Sequence, residues 1–252
     1  MWTTSDPRVS DPLAGYPVTA PPLPRPVLFD QTWLDLTFLH WPVRPDDVAH
    51  LFPAGTRPDV FADGMTYIAL VPFRMGYTAL GCGLRMPYFG TFAETNVRLY
   101  SVDDAGRHGV LFYSLETARL AVVPTIRIAM GIPYTWAKMR VRLSKEEISY
   151  DSVRRWPRRG LRSRVVVAPG DPVDPTPLEV WLTARWGAHT RKAGRTWWVP
   201  NTHGAWPLRS AHLVELDDEL IAAAGVPLAG PRLRALYSPA MRTQFGRPSA
   251  VT

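Results

Sequence analysis

Two short stretches constrain this chain more than any others: Phe92-Ala-Glu-Thr-Asn-Val-Arg98 and Gly131-Ile-Pro-Tyr-Thr-Trp-Ala137. In each, residues alternate in character at period two, the signature of a β-strand. Glu94, Asn96 and Arg98 fall on one face of the first strand, with Val97 and Leu99 opposite. Tyr134, Trp136 and Lys138 share a face of the second, against Ala137, Met139 and Val141. Such polar groups are costly to bury without partners. A strand of this kind therefore borders solvent or lines a wet cavity, and the fold decides which.

The rest of the chain reads as mainly β. Strands are predicted over Met65–Phe73, Thr91–Ser101, His108–Leu115, Tyr134–Leu143 and Arg195–Pro200. Asp103-Asp-Ala-Gly106 makes a good hairpin turn between the second and third. Helices are predicted over Pro45–Phe52, over Leu115–Ile128 with an irregularity at Pro124, and over Leu213–Ala224 with Gly225 as cap. The 26 prolines and 18 glycines favour many short strands and turns. Residues 1–28, rich in Pro, Ser and Thr, read as a disordered or draped arm. Residues 29–245 read as one domain.

Several function classes lack their residues. No apolar run approaches the roughly 18 residues that span a bilayer. The start lacks a basic segment followed by an apolar block, and Cys82 stands alone, so the expected location is the reducing cytoplasm. The six histidines show no zinc-ligand spacing, and no metal or cofactor is expected. There is no Gly-x-Ser-x-Gly, phosphate loop or dinucleotide fingerprint. Of 29 basic residues only Lys138, Lys145 and Lys192 are lysines, which limits amine chemistry. Arg154–Arg164 holds six arginines. It reads as a solvated loop or a phosphate-binding strip, and no nucleic-acid reading element accompanies it. The sequence leaves homo-oligomerisation open.

The order of several motifs along residues 33 to 240 resembles the DUF2071, or YqjF-like, family, grouped with acetoacetate decarboxylase. The matching pieces are Phe38-Leu-His-Trp-Pro-Val-Arg-Pro-Asp-Asp-Val, Leu51-Phe-Pro-Ala-Gly, Phe61-Ala-Asp-Gly-Met-Thr-Tyr-Ile-Ala-Leu-Val-Pro-Phe and Phe92-Ala-Glu-Thr-Asn-Val-Arg-Leu-Tyr. Gly109-Val-Leu-Phe-Tyr-Ser-Leu-Glu, Ile132-Pro-Tyr, Leu182-Thr-Ala-Arg-Trp, His203-Gly-Ala-Trp-Pro-Leu and Leu236-Tyr-Ser-Pro complete the set. The resemblance implies an acetoacetate decarboxylase-like fold, an antiparallel cone-shaped β-barrel enclosing a cavity, with peripheral helices. The decarboxylase forms a Schiff base on a lysine after a Gly-x-Pro turn, with a second lysine adjacent to lower the amine pKa. Here Gly131-Ile-Pro133 is followed by Tyr134 and Thr135, neither of which can form an imine. The resemblance thus implies the pocket without that mechanism.

Each candidate residue has a plainer reading beside the functional one. Glu94 resembles the family's cavity glutamate and is the candidate for proton transfer. Asn96 and Arg98 would form the polar wall next to it, unless the three make a structural ion pair or face solvent. Glu94 is expected to be buried with Arg98 or another arginine in ion-pair reach; without one its carboxyl would be neutral at pH 7. Arg127 and Arg185, each alone in an apolar segment, need a carboxylate partner or an anionic ligand. Tyr134 and Trp136 would make an aromatic wall, or pack ordinarily. His203 is either a general base or a structural hydrogen-bonder. Lys138 shares the parity of Tyr134 but lies about 13 Å further along the strand. The leading expectation is a small organic carboxylate or carbonyl ligand in a barrel cavity. Any enzymatic chemistry would be lyase-like or hydrolase-like acid–base chemistry on Glu94. A non-catalytic protein with a filled barrel and a weak polyanion binder are the alternatives.

Overall fold

The computed structural model describes residues 11–81, 83–86 and 90–252. Strand accounts for 52% of the chain and helix for 11%. The strands are β1 (Phe29–Val43), β2 (Thr56–Pro58), β3 (Thr66–Leu80), β4 (Leu84–Arg85), β5 (Phe92–Asp103), β6 (His108–Thr117), β7 (Tyr134–Leu143) and β8 (Ile148–Trp156). They continue as β9 (Arg162–Pro172), β10 (Gly187–Lys192), β11 (Arg195–His203), β12 (Arg209–Asp218), β13 (Ala235–Phe245) and β14 (Ser249–Ala250). The helices are α1 (Pro45–Val48), α2 (Val122–Met130), α3 (Pro177–Thr183) and α4 (Leu220–Ala223). Lone Cys82 and residues 1–10 of the N-terminal arm lie outside the described residues.

The strands close into two rings that share a wall. Nine strands, β6-β7-β8-β9-β12-β13-β1-β3-β5, return on themselves through the β5–β6 pairing. A second path leaves the wall through β10 and β11 and closes from β11 onto β13. The shared wall β13-β1-β3-β5-β6 is therefore buried on both faces. This resolves the polar alternation of β5: Val97 and Leu99 face the apolar core of the nine-strand ring, while Tyr100 packs in the core of the other. Glu94, Asn96 and Arg98 share the Tyr100 face and line a cavity in the smaller ring. The pairing is antiparallel except for β6–β7 and β6–β10, which are parallel.

The predicted hairpin of β5 and β6 forms with Gly106 in the left-handed region, and α1 begins at Pro45 as expected. Two predicted helices are shorter than expected. Residues 115–117 extend β6, and α2 starts only at Val122, with Pro124 in its first turn, where a missing N–H is tolerated. Residues 213–218 belong to β12, because pairing with β9 from Val167 to Ser163 satisfies their backbone; only Leu220–Ala223 is helical. The capping box of α3, in which Thr176 and Glu179 exchange backbone bonds, fixes where that helix starts and so where Thr183 and Arg185 emerge. Of the expected arm, residues 11–20 pack on this end of α3: Tyr16 donates to the Ala184 carbonyl at 2.7 Å, and Trp186 donates to the Pro17 carbonyl at 2.6 Å.

Candidate functional site

The smaller ring encloses a cavity of about 110 Å³. Its walls come from β1, β3, β5, β6, β10, β11 and β13, and the outer side is roofed by Ile126 and Met130 of α2. The helix ends at Gly131 in the left-handed conformation (φ +71°), where a Cβ would sit 2.5 Å from the Arg191 carbonyl oxygen. That close approach lays Ile132 and Tyr134 into the cavity wall. The Gly-x-Pro turn therefore delivers a phenol to the cavity.

Glu94 is 2% exposed and hydrogen-bonded to the Tyr134 phenol. Burial raises its carboxyl pKa to about 8; the Tyr134 bond opposes the rise and is outweighed. The expected arginine partner is absent: no guanidinium forms an ion pair with Glu94 among the described residues, so the carboxyl is held mostly neutral at pH 7. Tyr134 is itself pushed far above the usual phenol range, by burial first and then by Glu94. The second carboxyl oxygen of Glu94, Oε1, is buried with no partner.

Further along the same face, Asn96 Oδ1 and Arg98 Nε are also buried and unpartnered. The Arg98 side chain forms no ion pair among the described residues. It packs over the rings of Phe38 at 5.8 Å and Tyr100 at 5.7 Å. Arg185 is held differently. Its Nη1 pairs with Asp59, its Nε donates to the Trp181 carbonyl at 2.9 Å, and its Cζ lies 3.9 Å from the centre of the Trp181 ring. Arg185 Nη2 is left over, buried and unpartnered. His203 donates from Nδ1 to the Gly204 carbonyl at 2.7 Å. Burial lowers its pKa, and the charge of Arg98 lowers it further, so the ring is neutral near pH 7.

Six of the eight predicted residues thus border one cavity: Glu94, Asn96, Arg98, Tyr134, Arg185 and His203. Arg127 and Trp136 do not. Arg127 donates to the Tyr134 carbonyl at 2.9 Å and lies over Trp156 on the outer side. Trp136 stacks under Arg155 at 5.3 Å. The reason is topological: β7 touches the smaller ring only at its first residue and then runs into the nine-strand ring, where its even positions face outward. Lys138 is exposed there for the same reason.

Asn201 lines the cavity as well, outside the set expected from the sequence, and its Oδ1 is unpartnered too. The signal for it is strand parity. The predicted strand stops at Pro200, but β11 continues to His203, and Asn201 and His203 share the parity of Val199. Among the described residues no group of three or more His, Cys, Asp or Glu could hold a metal ion. The basic run is divided by the fold. Arg154 is buried against Glu116 and Ser114, while Arg155, Arg158, Arg159 and Arg162 are exposed around the β8–β9 turn. No helix among the described residues is long and apolar enough to cross a membrane.

Known proteins share this architecture. The chain resembles the uncharacterised protein YqjF of Bacillus subtilis (strain 168), with 27% identity over 201 residues, 79% of this chain and 82% of the relative. Its fold is similar to acetoacetate decarboxylase from Legionella pneumophila (TM-score 0.65, 11% identity, 99% of this chain and 98% of that one). It is also similar to the enduracididine biosynthesis enzyme MppR complexed with pyruvate (TM-score 0.61, 13% identity, 90% and 91% covered). At these identities the likeness is one of fold. The family model of DUF2071, described as an uncharacterised conserved protein, matches residues 30–242, and the chain belongs to that family.

Proposed function

We propose that the cavity of the smaller ring binds a small organic carboxylate, with Arg98 as the anion-binding group and Glu94 as the proton-transfer group. One observation carries the reading. Five buried polar atoms without partners, Glu94 Oε1, Asn96 Oδ1, Arg98 Nε, Arg185 Nη2 and Asn201 Oδ1, belong to residues that line the same cavity. Leaving such an atom unpaired costs about 1–3 kcal/mol, and more for a charged group. Their convergence supports a site whose partners arrive with the ligand. Arg98 is the strongest of them, because a buried guanidinium without a counter-ion calls for an anion. The pyruvate complex of MppR supports a carboxylate as occupant of this fold.

The charge count agrees. With Glu94 and His203 neutral, Arg98 and Arg185 face one structural carboxylate, Asp59, which leaves one net positive charge for the ligand. A neutral Glu94 hydrogen-bonded to Tyr134 can give a proton to a ligand oxygen, or take one back as its conjugate base, near pH 8. Imine chemistry is not part of the proposal. Lys138 and Lys145 are exposed and Lys192 is bonded to the Ala129 carbonyl, all away from the cavity lining.

The test is thermal unfolding with hexanoate and its uncharged amide. A carboxylate at one hundred times its Kd should stabilise the wild type by about 2.7 kcal/mol. Hexanamide should do far less, and Arg98→Gln should erase the difference. Equal shifts for acid and amide, or an unchanged difference in Arg98→Gln, would refute the assignment.

A further inference from the structure

This inference rests on the carboxylate reading above and goes on to the shape of the ligand. The cavity is polarised along β5. At one end stand Glu94 and Tyr134, joined to each other and without a cationic partner. At the other stand Arg98 and Arg185, which share the Tyr100 ring at 5.7 and 4.6 Å. The charge of Arg98 is felt by His203 and His40. Cross-strand register agrees: Glu94 lies between Phe73 and Thr117, and Arg98 between Ala69 and Phe112.

Four residues of strand separate the two ends by about 13 Å, and strand side chains stand roughly perpendicular to the sheet. A hydrogen bond of about 2.9 Å at each end leaves about 7 Å for the ligand between its two contacting oxygens. The rest of the lining is mostly apolar and includes Phe112, Leu115, Ile126 and Met130, with Gln31, Asn96, Thr183, Asn201 and His203 as its other polar residues. At about 10–15 Å³ for each water-sized group, the 110 Å³ cavity holds about seven to eleven non-hydrogen atoms.

We propose that the ligand is a bifunctional carboxylate. Its anionic head meets Arg98, and a second, uncharged oxygen, a carbonyl or hydroxyl, meets the Glu94–Tyr134 pair across an apolar spacer. With carbon–carbon bonds of about 1.5 Å, the span corresponds to about four bonds between the two functional carbons. Two acids already joined to each other, with Oε1 of Glu94 free, suit an oxygen that accepts a hydrogen bond and carries no charge of its own. A second carboxylate at that end would meet a carboxyl group that burial already keeps from ionising.

The experiment is isothermal titration of the full-length protein with a ladder of methyl-ketone acids, 3-oxobutanoate, 4-oxopentanoate, 5-oxohexanoate and 6-oxoheptanoate. Each is compared with the plain acid of the same chain length, which removes the effect of length alone. The affinity ratio of oxo acid to plain acid should peak at 5-oxohexanoate or 6-oxoheptanoate and exceed that of 3-oxobutanoate at least tenfold. Tyr134→Phe should lower the ratio towards one, whereas Arg98→Gln should weaken both acids equally. A ratio that is flat, or largest at 3-oxobutanoate, while the plain acids still bind, overturns the two-ended ligand and leaves the carboxylate reading standing. A Tyr134→Phe ratio equal to the wild type's overturns it as well. Absence of binding by every acid in both series overturns both readings.

Discussion

The two rings share a wall, and two buried arginines, Arg154 in one and Arg98 in the other, are treated in opposite ways. In the nine-strand ring Arg154 points inward from β8 and meets Glu116 from β6 through Nε and Nη2, while Nη2 also reaches Ser114 at 3.1 Å. The pair is buried, with side chains 4% and 0% exposed, and burial, helped by the Glu116 charge, raises the pKa of Asp218 nearby. In the smaller ring Arg98 and Glu94, four residues apart on one strand face, ignore each other. One keeps its charge without a counter-ion, and the other gives up its charge. Pairing is thus available to this fold where the purpose is structure. Under the proposed function, its omission around Arg98 on the other side of the same sheet leaves a partner for the ligand to supply.

The comparison breaks most sharply on removing one partner from each ring. Glu116→Ala leaves Arg154 buried and uncompensated and should cost about 3–5 kcal/mol of stability, read by denaturant unfolding, with the stabilisation by hexanoate preserved. Loss of the ligand response in this variant at temperatures where it stays folded would show that the rings are not independent.

A smaller effect of opposite sign is expected at Glu94. Between the ordinary carboxyl value of 4.5 and the folded value of about 8, the folded state holds a proton that the unfolded state has released. Wild-type stability therefore falls as pH rises through that window, by up to about 1.4 kcal/mol per pH unit. Glu94→Gln keeps the shape and removes the titration. Its unfolding free energy should be flatter between pH 5 and 8 and higher than the wild type's by a few kcal/mol at pH 8. A parallel pH dependence in the two proteins would place an ionised, compensated Glu94 in the cavity. The smallest effect is a null one: borohydride reduction with 3-oxobutanoate should leave no adduct on Lys138, Lys145 or Lys192, by mass spectrometry. An adduct on Lys138 would restore imine chemistry.

Much of the shared wall is legible in the amino-acid sequence. Alternation and composition identify β3, β5 and β6, and the Asp103–Gly106 turn joins the last two, because strand parity and turn chemistry are local properties. The same parity places Glu94, Asn96 and Arg98 on one side. It cannot say that the opposite side is buried too, since that depends on a second ring closing through β10 and β11. Arg127 and Trp136 illustrate the limit. Trp136 has the parity of Tyr134 and still pairs with Thr117 of β6, yet it lies where β8 joins β7 and outside the cavity lining, a boundary set by strand pairing between distant segments. Residues 213–218 carry a local helical pattern, and pairing with β9 overrides it. The pairing of Glu94 with Tyr134 in place of Arg98 is likewise illegible, because it depends on a turn after α2 meeting a strand 40 residues earlier.

The central claim, that the smaller ring carries polar groups at a cost in stability that a ligand offsets, is tested most directly at Arg98. The measurement is the unfolding free energy of the wild type and of Arg98→Leu, each with and without saturating hexanoate. Without ligand, removing an uncompensated buried charge should make Arg98→Leu more stable than the wild type by about 1 kcal/mol. With hexanoate the wild type should gain about 2.7 kcal/mol at one hundred times Kd and overtake the variant, which should gain little. A variant that is less stable than the wild type without ligand, and that responds to hexanoate as the wild type does, would contradict the account: Arg98 would then be a structural residue.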